Sequence, residues 1–277
     1  TMLAENALTK AHPLTEYAEG LVKPKFGTLK AKDGQTLHYR MFEPANEVVG
    51  KRYPVVVGVY GGPGAQRVTN SWSNKDLYFQ YLAQNGFIVF QLDNRGSENR
   101  GKAFEDPIYK KLAVVEIEDQ ITGVEYLRSL SYVDPTKIGI YGHSYGGYMT
   151  IMAMLKAGDY FAAGVSGAPV TDWRLYDTHY TERYLGHPND NAEGYEQSSV
   201  FPFVDGLKGK LLIYHGMADD NVLFTHSTKV FGALQSQGKL FEVMTYPGSK
   251  HAMFGQPVQT HLHKTITEFF ERTLKAE

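Results

Sequence analysis

One serine carries the strongest signal for chemistry, because it lies between two glycines in the pentapeptide GHSYG at positions 142–146. The apolar stretch KIGIYG (137–142) precedes Ser144, and a helical pattern begins at Gly146. A strand, a sharp turn and a helix are the context of a nucleophile elbow, where glycines let strand and helix approach closely. An ordinary strand-to-helix turn also favours glycine. The elbow is therefore a hypothesis that needs a base and an acid elsewhere in the chain.

Two later loops supply candidates for those partners. After the apolar run at 210–216 comes MADDNV, with Asp219 and Asp220, and after the run at 240–247 comes GSKHAMFG, with His251. The order serine, acid, histidine is that of the α/β-hydrolases. We predict Asp219 as the acid because it comes first after the turn. The alternative is Asp220, which we expect to cap or brace the loop.

The chain has ten histidines, so the choice of base needs an argument. His215 ends a predicted strand ahead of the acid, where a structural hydrogen bond is expected. His143 neighbours the serine, but we expect its side chain to leave the elbow in another direction. His261 and His263 fall on different faces of the last predicted helix. His251 follows a strand and comes after the acid, so we predict that it is the base.

The elements that must position these residues alternate along the chain. The turn Asp33-Gly34 predicts a hairpin. Apolar runs then predict strands buried on both faces at 53–60, 86–92, 137–142, 162–167, 210–216 and 240–247. Helical periodicity occurs at 74–85, 113–130, 146–158, 226–238 and 260–277. This order predicts a mostly parallel central sheet with helices on both faces. Together with the elbow and the order of serine, acid and histidine, it predicts an α/β-hydrolase. Sites in such sheets lie at the carboxyl ends of the strands.

One segment interrupts the alternation. The segment from about residue 168 to residue 209 is rich in Tyr, Pro and Asn. We predict that they form a short helical insertion over the site.

Composition narrows the function classes. The 277 residues include 28 Lys and Arg against 30 Asp and Glu, a net charge of −2. Nothing in this balance favours nucleic acid or an anionic membrane as a partner. Cysteine is absent, which excludes disulfides, thiolate metal sites and a cysteine nucleophile. We predict neither a metal nor a cofactor.

Four motifs in order, VYGGPGAQ, GHSYGGYMT, YDTHYTERY and HGMADDNV, resemble the catalytic domain of the dipeptidyl peptidase IV group in the prolyl oligopeptidase family of serine peptidases. The resemblance covers nearly the whole chain from about residue 20. It implies a serine exopeptidase that releases X-Pro or X-Ala dipeptides from peptides through an acyl-enzyme. It also implies a homodimer of the full-length protein, and it slightly favours a periplasmic or extracellular location.

The resemblance also assigns the surroundings of the serine. It implies an oxyanion hole formed by the Tyr60 hydroxyl and the backbone N–H of Tyr145, although Tyr60 could instead be a buried aromatic at a strand end. It implies an amide, Asn221, that holds a substrate carbonyl, although Asn is also ordinary in turns. The implied pocket for the residue before the scissile bond is a small apolar box made by Tyr145, Val170, Trp173, Tyr176, Tyr180 and Val222.

Singly, each pocket residue could equally be core. Tyr176 and Tyr180 are four positions apart, so they could form the packing stripe of a helix in the insertion.

Family members carry an N-terminal β-propeller whose paired glutamates bind the free amino group of the substrate. We expect residues 1–25 to be the segment that leaves such a propeller, and 26–277 to be the catalytic domain. Glu116 and Glu118 are a nearby pair, but they open a predicted helix that we expect to face solvent. They are therefore not expected to replace the propeller glutamates.

Two other functions stay open. An acylaminoacyl-peptidase or carboxylesterase could use the same fold and the same serine. A non-catalytic interaction module is the third hypothesis, but such proteins usually lose the serine or the histidine, and this chain keeps Ser144, Asp219 and His251.

Overall fold

The computed structural model describes residues 20–71 and 76–275. Eight strands form one sheet in the order β1-β2-β4-β3-β5-β6-β7-β8. The first two strands pair antiparallel with their neighbours, and β3 to β8 run parallel. The strands are β1 Lys25–Lys30, β2 Thr36–Phe42, β3 Tyr53–Gly58, β4 Ile88–Asp93, β5 Val133–His143, β6 Ala163–Gly167, β7 Lys210–Gly216 and β8 Glu242–Tyr246.

Helices cover both faces of this sheet, as predicted. Residues of α3 and α4 pack in the core on one face, and residues of α1 and α8 pack in a second cluster on the other. The helices are α1 Asp76–Gln84, α2 Lys102–Glu105, α3 Val115–Ser129, α4 Tyr145–Lys156, α5 Thr178–Leu185, α6 Ala192–Gln197, α7 Thr225–Ser236 and α8 Gln256–Leu274. The α/β-hydrolase prediction is thus confirmed in its main elements.

Central strands are apolar because both of their faces are covered. Every residue of β3, β4 and β6 is buried, so these strands read as unbroken apolar runs rather than as alternating patterns. The last strand, β8, departs from the prediction. It lies at the edge of the sheet and exposes Glu242 and Val243, because no ninth strand covers its outer side in the described part of the chain. The prediction that this strand is buried on both faces was wrong.

The segment 168–209 forms short helices, as expected from its composition. A 3₁₀ helix, Trp173–Leu175, precedes α5 and α6, and a second one, Phe201–Gly206, follows them. The side chain of Asp177 caps α5 by accepting a hydrogen bond from the backbone N–H of Tyr180 at 2.8 Å. Tyr176 therefore lies before the helix that contains Tyr180. The alternative of one helical stripe bearing both tyrosines was wrong.

The N-terminal segment predicted at 1–25 lies largely outside the described residues, which begin at Gly20. None of the helices in the described ranges is long and apolar enough to cross a membrane.

Candidate active site

Ser144 lies in a strained turn between β5 and α4. Its φ of 63° is in the left-handed region, which non-glycine residues rarely adopt. Its N–H donates to the carbonyl of Gly167 at 2.8 Å, so the turn is anchored to the neighbouring strand. A Cβ at Gly142 or Gly146 would collide with main-chain atoms. Glycine at both positions therefore permits the close approach of strand and helix that exposes the serine.

A continuous hydrogen-bonded chain joins the serine to the two residues predicted as its partners. Nε2 of His251 lies 2.8 Å from Oγ of Ser144, and Nδ1 of the same ring lies 2.7 Å from Oδ2 of Asp219. A carboxylate can only accept, so Nδ1 carries the proton and donates it to Asp219. Nε2 is then free to accept from the serine hydroxyl, which is the arrangement that general-base catalysis requires.

Asp219 is held ionised although its side chain has no exposed surface. Burial raises the pKa of this carboxyl, but hydrogen bonds from His215, His251 and the main chain outweigh burial and hold the pKa well below its ordinary value. The backbone N–H groups of Asn221 and Val222 donate to Oδ1 at 2.9 and 3.0 Å. These donors fix the carboxylate in place and keep it negative beside the imidazole.

Asp220, the alternative acid, points elsewhere. It is exposed and forms an ion pair with Lys250, which joins the two loops that carry Asp219 and His251. It makes no hydrogen bond with His251 among the described residues.

His215 makes structural hydrogen bonds, in line with the expectation for it. Its Nε2 donates to Oδ2 of Asp219 at 3.1 Å and to the carbonyl of Val222 at 2.8 Å, while Nδ1 accepts from Ser227 at 2.7 Å. His143 makes no hydrogen bond with Ser144 among the described residues, in line with the expectation that its side chain leaves the elbow in another direction. Its ring packs on His251, with 4.8 Å between ring centroids, and its Nδ1 lies 3.1 Å from the Tyr214 hydroxyl. Burial lowers the pKa of His143 to about 3, so the ring is neutral.

Tyr60 follows β3 and lies beside the elbow. Its ring is 5.9 Å from that of Tyr145, and the guanidinium of Arg67 lies 4.9 Å from its centroid. Burial raises the pKa of the Tyr60 hydroxyl, and the charge of Arg67 opposes this shift. The hydroxyl is therefore protonated at neutral pH and can donate a hydrogen bond.

The aromatic residues predicted for the pocket form one cluster. Trp173 contacts Tyr145, Tyr176 and Tyr180, with ring centroids 5.5, 5.8 and 5.9 Å away. Tyr176 and Tyr180 also meet edge to face at 5.5 Å. Such offset and edge-to-face contacts stabilise aromatic clusters.

The remaining predicted pocket residues lie in the same region. Val170 and Val222 are buried in the core cluster that contains Tyr145 and Trp173. Asn221 is exposed, and its Oδ1 accepts from the Tyr176 hydroxyl at 2.7 Å. Its side-chain N–H groups keep their capacity to donate to a ligand.

Glu116 corrects a further expectation. It does not face solvent, because it has no exposed surface and accepts a hydrogen bond from the Tyr145 hydroxyl at 3.0 Å. Glu118 is half-buried and forms ion pairs with Lys32 and Arg95.

Among the described residues, no group of three or more His, Cys, Asp or Glu side chains is arranged to hold a metal ion.

The sheet, the elbow and the chain of hydrogen bonds from Asp219 to Ser144 are those of a serine hydrolase with the α/β-hydrolase fold. The sequence belongs to the prolyl oligopeptidase family, whose model matches residues 72–277. This result confirms the family predicted from the four motifs.

Individual relatives agree with this placement. Dipeptidyl peptidase 8 from Homo sapiens is 37% identical over 270 residues, which cover 94% of this chain and 30% of that protein. Prolyl endopeptidase FAP from Mus musculus is 35% identical over 254 residues, which cover 90% of this chain and 33% of that protein. The crystal structure of Porphyromonas gingivalis dipeptidyl peptidase 4 matches with a TM-score of 0.88 and 35% identity, over 92% of this chain and 36% of that one. This chain therefore spans about a third of the length of these relatives.

Proposed function

We propose that this chain is the catalytic domain of a serine exopeptidase that releases X-Pro or X-Ala dipeptides from the amino terminus of peptides. The hydrogen-bonded chain Asp219–His251–Ser144, in the tautomer that lets the histidine accept the serine proton, carries this proposal. The family and the dipeptidyl peptidases among its relatives support the substrate class.

The chemistry follows from the donors and acceptors in the site. Oγ of Ser144 attacks the carbonyl carbon before the scissile bond while its proton moves to Nε2 of His251. The imidazolium, stabilised by ionised Asp219, then gives this proton to the departing amine, and an acyl-enzyme remains. Water repeats the sequence: His251 takes its proton, the hydroxide oxygen attacks the ester, and Ser144 leaves with the proton restored.

Negative charge develops on the carbonyl oxygen in both steps. We propose that the Tyr60 hydroxyl and the backbone N–H of Tyr145 bind this oxygen. The amide of Tyr145 belongs to the first turn of α4, where N–H groups are unpaired within the helix and favour a negative charge. The protonated Tyr60 hydroxyl supplies the second donor.

Replacing Tyr60 by phenylalanine tests the second donor. The change removes one hydroxyl and almost no volume, so we expect folding to survive and kcat to fall by about 10² to 10³, as for the loss of one oxyanion donor. The measurement is steady-state cleavage of Gly-Pro-anilide, with Tyr160→Phe as the control because Tyr160 lies beyond the other end of α4. A higher KM at unchanged kcat would mean that Tyr60 is only a wall of the binding site.

The aromatic cluster supports the choice of proline or alanine. We propose that Tyr145, Trp173, Tyr176 and Tyr180 enclose the side chain before the scissile bond, with Val170 and Val222 at the base. Aromatic rings and valines present apolar surface with few rotamers, so a compact ring such as proline gains contact area without ordering the site. Asn221 would donate its amide N–H to a carbonyl of the substrate.

Recognition of the free amino terminus is assigned to another part of the protein. Glu116 is buried with its oxygens already in hydrogen bonds, and Glu118 is paired with two cations. Neither carboxylate is available to bind an ammonium group. We propose that glutamates of an N-terminal propeller perform this role. The propeller, the homodimer and the periplasmic or extracellular location stay predictions.

A comparison of free and blocked substrates tests this division of roles. With the 277-residue chain, we expect Gly-Pro-anilide and its N-acetylated form to be cleaved with similar, low kcat/KM. An ammonium–carboxylate contact contributes several kcal/mol only when its partner is in position. A preference of the 277-residue chain for the free amine above about tenfold (1.4 kcal/mol) would show that an amine-binding carboxylate lies within it.

Simple esters in the same assay test the alternative of a carboxylesterase. Faster turnover of esters than of both anilides would favour that alternative.

A further inference from the structure

Glu116 is a buried carboxyl group that the reaction itself does not use. It lies in the first turn of α3 with no exposed surface. Oε1 accepts from the N–H of Ala113 at 2.9 Å, and Oε2 accepts from the N–H of Val114 at 3.1 Å. Ala113 has a φ of 55°, an uncommon conformation for a residue with a Cβ. The backbone before α3 thus turns so that two consecutive N–H groups donate to this carboxyl group.

The third donor to Glu116 is the Tyr145 hydroxyl, 3.0 Å from Oε1. Tyr145 is also buried, at 3% exposure. Its ring lies against Gly62 in the loop after Tyr60, where a Cβ would collide with it. The ring also contacts those of Tyr60, Tyr148 and Trp173. The ring therefore separates the apolar pocket from the loop that carries the oxyanion tyrosine, and Glu116 holds the far end of that ring.

We propose that Glu116 is a positioning residue that sets the specificity of the pocket by fixing the ring of Tyr145. This proposal rests on the proposed function, since it assumes that the ring bounds the pocket for the residue before the scissile bond. A fixed ring favours proline, which fills a rigid box, over alanine, which depends less on the position of this wall. Glu116 touches no substrate and acts only through Tyr145.

Protonation of Glu116 weakens this arrangement. Burial raises the pKa of Glu116 to about 7, against the opposing effect of its hydrogen bonds. The titratable and charged groups that act on it come from α4: Tyr145, Tyr148 and Lys156, whose Nζ donates to the carbonyl of Ala113 at 2.9 Å. Protonation removes the negative charge of the carboxylate, so the hydrogen bond that it accepts from the Tyr145 hydroxyl is no longer charge-assisted and becomes weaker. The pocket should therefore tighten as pH rises through about 7.

The test is the ratio of kcat/KM for Gly-Pro-anilide to kcat/KM for Gly-Ala-anilide, at pH 6 and at pH 8.5. A pH effect that is common to both substrates cancels in this ratio. We expect the ratio to rise by about threefold to tenfold, the equivalent of one hydrogen bond. In Glu116→Gln and in Tyr145→Phe it should stay low at both pH values, and the double variant should match either single one. The matched control, Glu118→Gln, should behave like the unaltered protein.

A second readout does not depend on catalysis. The chain has two tryptophans, so in Trp72→Phe the emission comes from Trp173, which contacts Tyr145. We expect this emission to titrate near pH 7 and to lose the transition when Glu116→Gln is added. An emission and a ratio that are both independent of pH, or a ratio in Glu116→Gln equal to that of the unaltered protein, would overturn the proposal. If the chain cleaves neither anilide but keeps the emission transition, the proposed function is overturned. The role of Glu116 in holding Tyr145 would in that case still be supported.

Discussion

Ser144→Ala and His251→Ala are each expected to lower kcat for Gly-Pro-anilide by about 10⁶, and the double variant should be little worse. The reason is that the two residues act as a unit. Without the histidine, the serine hydroxyl keeps its proton, and without the serine, the histidine has no nucleophile to activate. The 2.8 Å contact between Nε2 and Oγ is the structural basis of this expectation.

The measurement is single-turnover and steady-state cleavage with each variant at equal concentration. Circular dichroism and thermal unfolding serve as the control, because Ser144 and His251 are partly exposed and their truncation should leave the fold intact. Losses that multiply, so that the double variant falls by the product of the two single effects, would show that serine and histidine act independently and would contradict the assignment.

Asp219→Asn should lower kcat by about 10⁴. The carboxylate accepts from Nδ1 of His251, and an asparagine can present an N–H in its place. The imidazole would then carry its proton on Nε2, where it cannot accept from Ser144. The same change leaves donors such as the backbone N–H of Val222 with a poorer partner, so we also expect stability to fall by about 1 to 3 kcal/mol.

Asp220→Asn is the matched control for this prediction. It makes the same replacement at the next position. Asp220, however, is exposed, and its ion pair among the described residues is with Lys250. An exposed ion pair contributes little to stability, so kcat should stay near that of the unaltered protein. A large loss in Asp220→Asn with a small one in Asp219→Asn would mean that the acid was chosen wrongly.

Much of the sheet and the location of the site could be predicted from local patterns. Strands buried on both faces read as apolar runs, and the glycines at 142 and 146 mark the sharp turn at Ser144. The parallel order then implied that the loops with Asp219 and His251 would meet the serine at one edge of the sheet, and the distances agree.

Features that depend on packing between distant segments could not be predicted in the same way. The apolar run of β8 looked like a central strand, yet its exposure depends on which strand lies beside it. Glu116 looked like a solvent-facing residue of a helix start, because its partner Tyr145 is 29 positions away. The signal that could have identified it is that Glu116 is the one charged residue in the apolar stretch LAVVEI at 112–117. For His143, no local pattern indicates the contact of its ring with that of His251, which comes from another loop.

The most direct test of the central claim is labelling with a fluorophosphonate, followed by mass spectrometry of the intact chain and of its peptides. The reagent reacts with a serine only when a neighbouring base and an oxyanion site activate it. We predict one adduct per chain, located on Ser144, that is absent from Ser144→Ala and His251→Ala and retained in Asp220→Asn. An unlabelled chain that is correctly folded, or an adduct on another residue that persists in Ser144→Ala, would contradict the assignment of Ser144 as the nucleophile.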